Sequence, residues 1–305
     1  MRPIVHVGYH KTATTWYQHE VYPRATSHRW IPRAKARTAL LAPSGLAFDA
    51  DIARSYLGDS DDTRPPVICE ENLSGYIHNG GLHGLLAPEA ARRIKAVYPD
   101  ALIVITIRAQ PQVISASYVQ YVRGGGTMGV RDYLGSASRM HGALRHQYKA
   151  SRFSFEHFEY DRLITFYDRL FGSDSVIVLL YETLRNTPSD FLAELQRRTG
   201  LAIDLEAVCY EHRNASFGPV TITLGRILNR FTARSVANKH YLINLPGYYR
   251  PRGKLLNLLG RLEGGAPPGR VLGHAMVDHI RQHYAGSNRR LAQLRPLDLR
   301  SLGYP

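Results

Sequence analysis

The sequence predicts an α/β fold, a central parallel β-sheet flanked by helices, and three observations carry that expectation. Segments of strand length and almost wholly apolar character recur through residues 4–181. Stretches with helical apolar spacing lie between them. A charged residue stands within a few positions of the carboxyl end of each of the first three segments. Strands that read as continuous apolar runs are buried on both faces, which requires helices on both sides of the sheet. In such sheets ligands bind beyond the carboxyl ends of the strands, so where the charges fall matters as much as their presence.

The first expected strand is residues 4–7, a short β-branched run. Gly8, Tyr9 and His10 break it, and Lys11 to Thr15 leads into helical spacing over 16–21. Residues 24–66 read as a short helix or two with loops, basic from Arg29 to Arg37 and acidic from Asp49 to Asp62. Residues 66–69 are the second strand, ending at Glu70 and Glu71, and a helix is expected over 88–98. The third strand, 101–107, has six apolar residues in seven and ends at Arg108. Pro111 suits the first turn of a helix reaching about residue 122, and Gly124-Gly125-Gly126 ends it. Residues 131–150 read as a polar helix, 153–160 as aromatic-rich and 161–171 as a helix. A fourth strand is expected over 175–181, ending at Glu182, followed by a helix over 188–198 that stops at Gly200. A last helix is expected from about His274 to Leu294.

Of the 305 residues, 44% are hydrophobic and 21% charged, enough apolar material for a core that needs neither disulfide nor metal. The chain is read as one domain, with an α/β core over 1–211 and a basic helical part over 212–305. Cys69 and Cys209 form neither a metal spacing nor a redox pair and suit a reducing compartment. With a strand expected from residue 4, no secretory signal is expected, and no apolar run approaches the roughly 20 residues of a membrane span. A cytoplasmic location follows as the expectation, with peripheral membrane contact left open. The net charge of +14 draws polyanions, whether nucleic acid, anionic lipid, acidic polysaccharide or a highly phosphorylated cofactor. From His212 to Leu262 there is no Asp or Glu, while arginines, lysines and tyrosines alternate. A solvated helical face, an acceptor site and a lid are all open readings of that stretch, and oligomeric state is not legible.

The stretch from Pro3 to Trp16 carries the most chemistry. A strand, a tight loop, a lysine, hydroxyl residues and a helix start make an anion site, because the first amides of a helix lack internal partners and the helix dipole adds positive potential there. Lys11 adds a full charge, and Thr12, Thr14 and Thr15 add hydroxyls. The plainer alternative is a turn whose threonines only cap the helix.

At these residues the chain resembles the sulfotransferases that use 3′-phosphoadenosine-5′-phosphosulfate, bacterial members acting on carbohydrates or related metabolites above all. Gly8-Tyr9-His10-Lys11-Thr12-Ala13-Thr14-Thr15-Trp16 is similar to the family's 5′-phosphosulfate loop, with Ala13 in place of the usual glycine. Arg108 and the segment after it look like the 3′-phosphate element, an arginine followed eight residues on by serine. Here the eighth residue is Ala116, so Ser115 or Ser117 must serve, Ser117 being preferred. Tyr181-Glu182-Thr183-Leu184 is similar to a structural segment of the family, and Glu70-Glu71-Asn72-Leu73 occupies the place of its catalytic base. Arg213 and Arg252 resemble, loosely, further cofactor contacts. The resemblance covers roughly residues 3–215. It implies a P-loop-NTPase-like sulfotransferase fold with a helical C-terminal extension, no metal requirement, and a donor with two anionic ends. It further implies Lys11 at the leaving oxygen, Glu71 as the base, Glu70 and His10 as its alternatives, and a hydroxyl-bearing acceptor, carbohydrate or lipid-linked.

Two other classes compete. A P-loop kinase or NTPase needs Gly-x-x-x-x-Gly-Lys-Ser/Thr, and here Gly8 stands too close to Lys11 while Ala13 follows the lysine. A non-enzymatic nucleic-acid binder is suggested by charge alone, without a recognisable module.

Overall fold

The computed structural model describes residues 1–135, 153–210, 217–234 and 240–305, without the side chain of His83. Among them, five strands form one parallel sheet: β1 (Ile4–His6), β2 (Arg29–Ile31), β3 (Pro66–Cys69), β4 (Leu102–Ile107) and β5 (Val176–Leu180), in the order β2-β3-β1-β4-β5. Val5 lies level with Ile68 on one side and Ile103 on the other. Successive side chains point to opposite faces of a sheet, and two apolar clusters result. Val5, Ile68 and Ile103 pack into one, Ile4, Val67 and Leu102 into the other. Each large side chain buried in this way contributes about 1.5–3 kcal/mol. The central strand also carries His6, wholly buried, whose Nδ1 lies 2.9 Å from the Tyr22 hydroxyl and whose Nε2 lies 3.0 Å from Thr106 Oγ1. Burial lowers its pKa to about 3, so it is a neutral core group.

The helices in chain order are α1 (Thr14–Trp16), continued through a wider turn over Tyr17–Val21, then α2 (Arg33–Leu40), α3 (Ala50–Leu57), α4 (Gly80–Gly84) and α5 (Leu86–Val97). After β4 come α6 (Gln110–Arg123), α7 (Val130–Leu134) and α8 (Tyr160–Phe171). After β5 come α9 (Tyr181–Asn186), α10 (Pro188–Thr199), α11 (Pro219–Leu228), α12 (Tyr249–Glu263), α13 (Pro268–Leu272) and α14 (His274–Leu294). The helices expected over 88–98, 111–122, 161–171 and 188–198 are present within two residues at each end. Of the polar helix expected over 131–150, α7 is the beginning, and 136–152 lie outside the described residues. The segment 24–66, expected to hold a short helix or two, contains α2 and α3 and also β2, which its sequence does not announce. Arg29-Trp30-Ile31 is too short to show a period, and it is a strand because β3 offers it an edge.

The end of the chain braces the carboxyl edge of the sheet. Gln110 and Asn288 exchange amide hydrogen bonds at 2.9 and 3.0 Å, tying the start of α6 to α14. Buried Glu182 accepts from the Ala109 amide at 3.1 Å and from the Tyr304 hydroxyl at 2.9 Å. Both contacts fix the backbone next to Arg108.

Candidate active site

Because β3, β1 and β4 are neighbours, the loops that leave their carboxyl ends meet, and the chain leaves β1 toward one side of the sheet but returns to β4 on the other. That switch point opens a cavity of about 640 Å³. Lys11, from the loop after β1, Glu71, after β3, and Arg108, after β4, all line it, with His10, Ala13, Thr14, Thr15 and Trp16.

The loop after β1 is built by its backbone. Its amides continue the ladder with β4, Val7 to the Val104 carbonyl at 2.9 Å and Tyr9 to that of Thr106 at 3.3 Å. Gly8 is obligatory there, since a Cβ would fall 2.5 Å from the buried His6 ring. Thr12, wholly buried, donates its hydroxyl to the Tyr9 carbonyl. Lys11 and Ala13 have φ of 67° and 65°, the left-handed region that costs a non-glycine residue about 1–2 kcal/mol. Ala13 therefore occupies a conformation suited to glycine and accepts its cost. It caps the helical run with no side-chain bond, so the first amides of α1 are left without a side-chain acceptor. Burial, with Arg123 and Arg108 close by and only Glu71 opposing, lowers the Lys11 pKa to about 8.

β3 ends at Cys69, and a 3-10 turn over Glu71–Ser74, capped by Glu70, gives the two glutamates different settings although Arg33 pairs with both. Glu70 is fully buried and turned away from the cavity. It accepts from Arg33 Nε and Arg37 Nε, both at 2.7 Å, and from the amide and side chain of Asn72 at 3.0 and 2.7 Å. Glu71 faces the cavity, held by Gln18 Nε2 at 3.1 Å and by an ion pair with Arg33. Arg108 donates to the Lys11 carbonyl at 3.0 Å and stacks its guanidinium 4.4 Å from the Tyr181 ring centre. Its Nε is buried with no hydrogen-bond partner. On α6 the cavity meets Ala116, Val119, Gln120 and Arg123. Ser115 and Ser117 are not brought to it. Both are buried, and Ser117 donates back to the Val113 carbonyl at 2.7 Å within the helix.

No protein-family model matches the chain, and no curated protein matches its sequence. Among solved structures, a sulfotransferase from Alicyclobacillus acidocaldarius is similar to it with a TM-score of 0.52 at 18% identity, over 75% of this chain and 94% of that one. The chain has a sulfotransferase-like fold. The parallel sheet flanked by helices, with further helices at the C-terminus, is the architecture its sequence predicted.

Within this sulfotransferase-like fold the remaining expected site residues scatter. His10 lines the cavity with its Nε2 3.1 Å from Asn72 Oδ1 and its Nδ1 unpartnered. Burial, then the neighbouring His157, pushes its pKa well below the ordinary value, so it is neutral. Arg252 lies outside the cavity, donating to Asn229 Oδ1 at 2.5 Å and to the Arg123 carbonyl at 2.6 Å, which makes it a brace between α12 and α6. Arg213 lies outside the described residues.

Several lining residues escaped sequence reasoning. Arg33 and Arg37 reach the cavity from α2, whose position depends on the unforeseen β2. Arg123 had a usable signal, seven residues after Ala116 and so on the same helical face. Tyr210 carried no signal; it forms an aromatic corner with Trp16, which the motif did include, ring centres 6.2 Å apart, and Trp16 Nε1 donates to the Cys209 carbonyl at 2.8 Å. The site suits a ligand with more than one anionic group. Lys11, Arg108 and Arg123 crowd one side of it; burial first, and then the two guanidiniums, depress the Lys11 pKa, and an anion opposes both effects. Among the described residues no three His, Cys, Asp or Glu come together to hold a metal ion.

Proposed function

We propose that this chain is a sulfotransferase that takes a sulfuryl group from 3′-phosphoadenosine-5′-phosphosulfate and passes it to a hydroxyl of a carbohydrate, glycolipid or small metabolite. The observation that supports it most is the convergence of Lys11, Glu71 and Arg108, from three adjacent strand ends, on one cavity in a sulfotransferase-like fold. Sulfuryl transfer asks for in-line placement, a base and a cation at the leaving oxygen. Lys11 and the first amides of α1 suit the 5′-phosphosulfate, Arg108 and Arg123 the 3′-phosphate, and the Trp16–Tyr210 corner the flat face of the base. Bound there, the donor supplies an activated sulfuryl group. Glu71, oriented by Gln18 and Arg33, takes the proton of the acceptor hydroxyl as that oxygen bonds to sulfur. Lys11 holds the electron pair that stays on the phosphate oxygen when the old sulfur–oxygen bond breaks.

Equilibrium binding of 3′-phosphoadenosine-5′-phosphate, of ATP with Mg²⁺ and of a random DNA duplex tests this reading. The bisphosphate is expected to bind tightest. Lys11→Ala and Arg108→Ala are each expected to weaken it by about 10–150-fold, the loss that hydrogen bonds to a charged group imply. Equal affinity for ATP, or wild-type affinity in both variants, would overturn it.

A further inference from the structure

Residues 240–263 hold large apolar side chains out of the fold. Tyr241, Leu242, Ile243 and Leu245 are 52, 76, 52 and 41% exposed. Their backbone is nonetheless anchored: the Leu242 amide donates to the Arg230 carbonyl at 2.7 Å, that of Leu245 to Phe231 at 3.1 Å, and Asn244 Oδ1 accepts from the Ala233 amide at 3.0 Å. On α12, Leu255, Leu258 and Leu262 are 44, 55 and 77% exposed. Their spacing of three and seven places them in one stripe, while Arg252, Leu256 and Gly260 form the buried face. Arg250, Lys254 and Arg261, all exposed, fall together along one flank of that stripe.

We infer that α12 and the loop before it are a docking surface for an anionic lipid bilayer. A leucine stripe flanked by basic residues is the pattern of a helix that lies in the bilayer interface, its apolar face among the acyl chains and its cations on the headgroups. A second copy of this chain fits poorly, because the 212–262 segment contains no acid to meet its own arginines and lysines. A nucleic acid matches the charge but leaves the leucines in water. Among the described residues no helix is long and apolar enough to cross a membrane, so the contact is with a surface. Arg123 lines both the cavity and a second concavity of about 360 Å³ formed with Arg250 and Lys254, so docking here brings that side of the cavity toward the headgroups. The inference is independent of the transfer reading, since vesicle binding needs no sulfuryl donor.

Co-sedimentation with vesicles of phosphatidylcholine, alone and mixed with phosphatidylserine, tests it. The wild type is expected to sediment with the mixed vesicles only, and less as salt is raised. Leu255→Gln/Leu258→Gln/Leu262→Gln is expected to lose more than tenfold in vesicle affinity with a thermal melt little changed, because the three side chains are exposed and lie off the buried face of α12. Arg250→Gln/Lys254→Gln/Arg261→Gln provides a second variant and is expected to lose about fivefold per residue removed. A wild type that stays in the supernatant with mixed vesicles overturns the inference, as do two variants that both sediment like it. A dimer that the leucine variant converts to monomer reassigns the face to a second copy, and retention on DNA without vesicle binding reassigns it to a polyanion.

Discussion

At the carboxyl edge of the sheet, Lys11, Arg33 and Arg108 are partly buried and each is held or crowded by named groups: Arg33 by Glu70 and Glu71, Arg108 by Tyr181 and the Lys11 carbonyl, Lys11 by two neighbouring guanidiniums. On α12, Arg250, Lys254 and Arg261 stand in solvent beside exposed leucines. The two regions carry the same residue types and opposite kinds of selectivity. Charges fixed in a cavity can match the positions of individual phosphate oxygens, because their geometry is set before a ligand arrives. Charges on a solvated face act as a field, screened over about 8–10 Å at ordinary salt, and recognise a surface rather than a molecule. Net charge, read from composition, counts both kinds together.

The largest test of this contrast lies within the cavity, between the adjacent glutamates. Glu71→Gln is expected to lower turnover by about 10²–10⁴-fold, the usual contribution of a positioned base, while binding of the bisphosphate product is retained. Glu70→Gln is expected to act on stability instead. It weakens the acceptor of two arginines and should cost about 2–3 kcal/mol in a denaturant titration, below the figure for a wholly buried pair because Arg33 and Arg37 are partly in solvent. Turnover lost in Glu70→Gln at full stability would exchange the two roles.

How much of this was legible in the sequence follows from how local each signal is. The strands β1, β3, β4 and β5 are apolar runs whose burial on both faces is written into their own residues, and the loop at Lys11 is a contiguous motif. The direction of Glu70 and Glu71 was not reducible to strand alternation, because β3 ends at Cys69 and the 3-10 turn that starts at Glu71 sets it. What failed to show were features that only tertiary contact creates. β2 is a strand by virtue of the β3 edge, and it carries α2 with Arg33 and Arg37 to the cavity. Spacing from Arg108 pointed to position 116, and Ala116 does take the cavity face, while Ser117, preferred as the neighbouring hydroxyl, stands one residue off that face and is turned inward. Arg252 resembled a cofactor contact within a basic run, yet its Nη1 and Nη2 are committed to Asn229 and the Arg123 carbonyl.

A smaller effect is expected from pH. Lys11 loses its proton near pH 8 in the folded protein against 10.5 for an ordinary lysine. Its charge, and with it the affinity for the bisphosphate, is therefore expected to fall as pH rises through 8, by about fivefold over the first unit above it. Folding responds in the opposite direction. The unfolded chain holds this proton to higher pH than the folded one, so between about 8 and 10.5 the contribution of Lys11 to stability increases with pH. Lys11→Arg, charged throughout, is expected to flatten the binding profile. Isothermal titration across that range reads the affinity, with proton uptake measured from the buffer dependence of the heat, and denaturant unfolding at the same pH values reads the stability. A flat wild-type profile would detach Lys11 from the anion.

The smallest expected effect is on the outer surface, and it decides whether the two basic regions are separate. Arg250→Gln/Lys254→Gln/Arg261→Gln removes three solvated charges, and stability is expected to change by no more than about 0.5 kcal/mol, as is usual for surface substitutions. Bisphosphate affinity is expected to change by less than about twofold at ordinary salt, because side chains that stand in solvent are screened from a ligand held inside the cavity. Arg250 and Lys254 share a concavity with Arg123, which also lines the cavity, so the result is informative in both directions. A larger loss confined to Arg250→Gln or Lys254→Gln would bring the start of α12 to the nucleotide, as its sequence resemblance implies, and leave only Arg261 and the leucines to the surface. An equal loss from Arg261→Gln would mean that one long-range field serves both regions, and that loss would shrink as salt is raised.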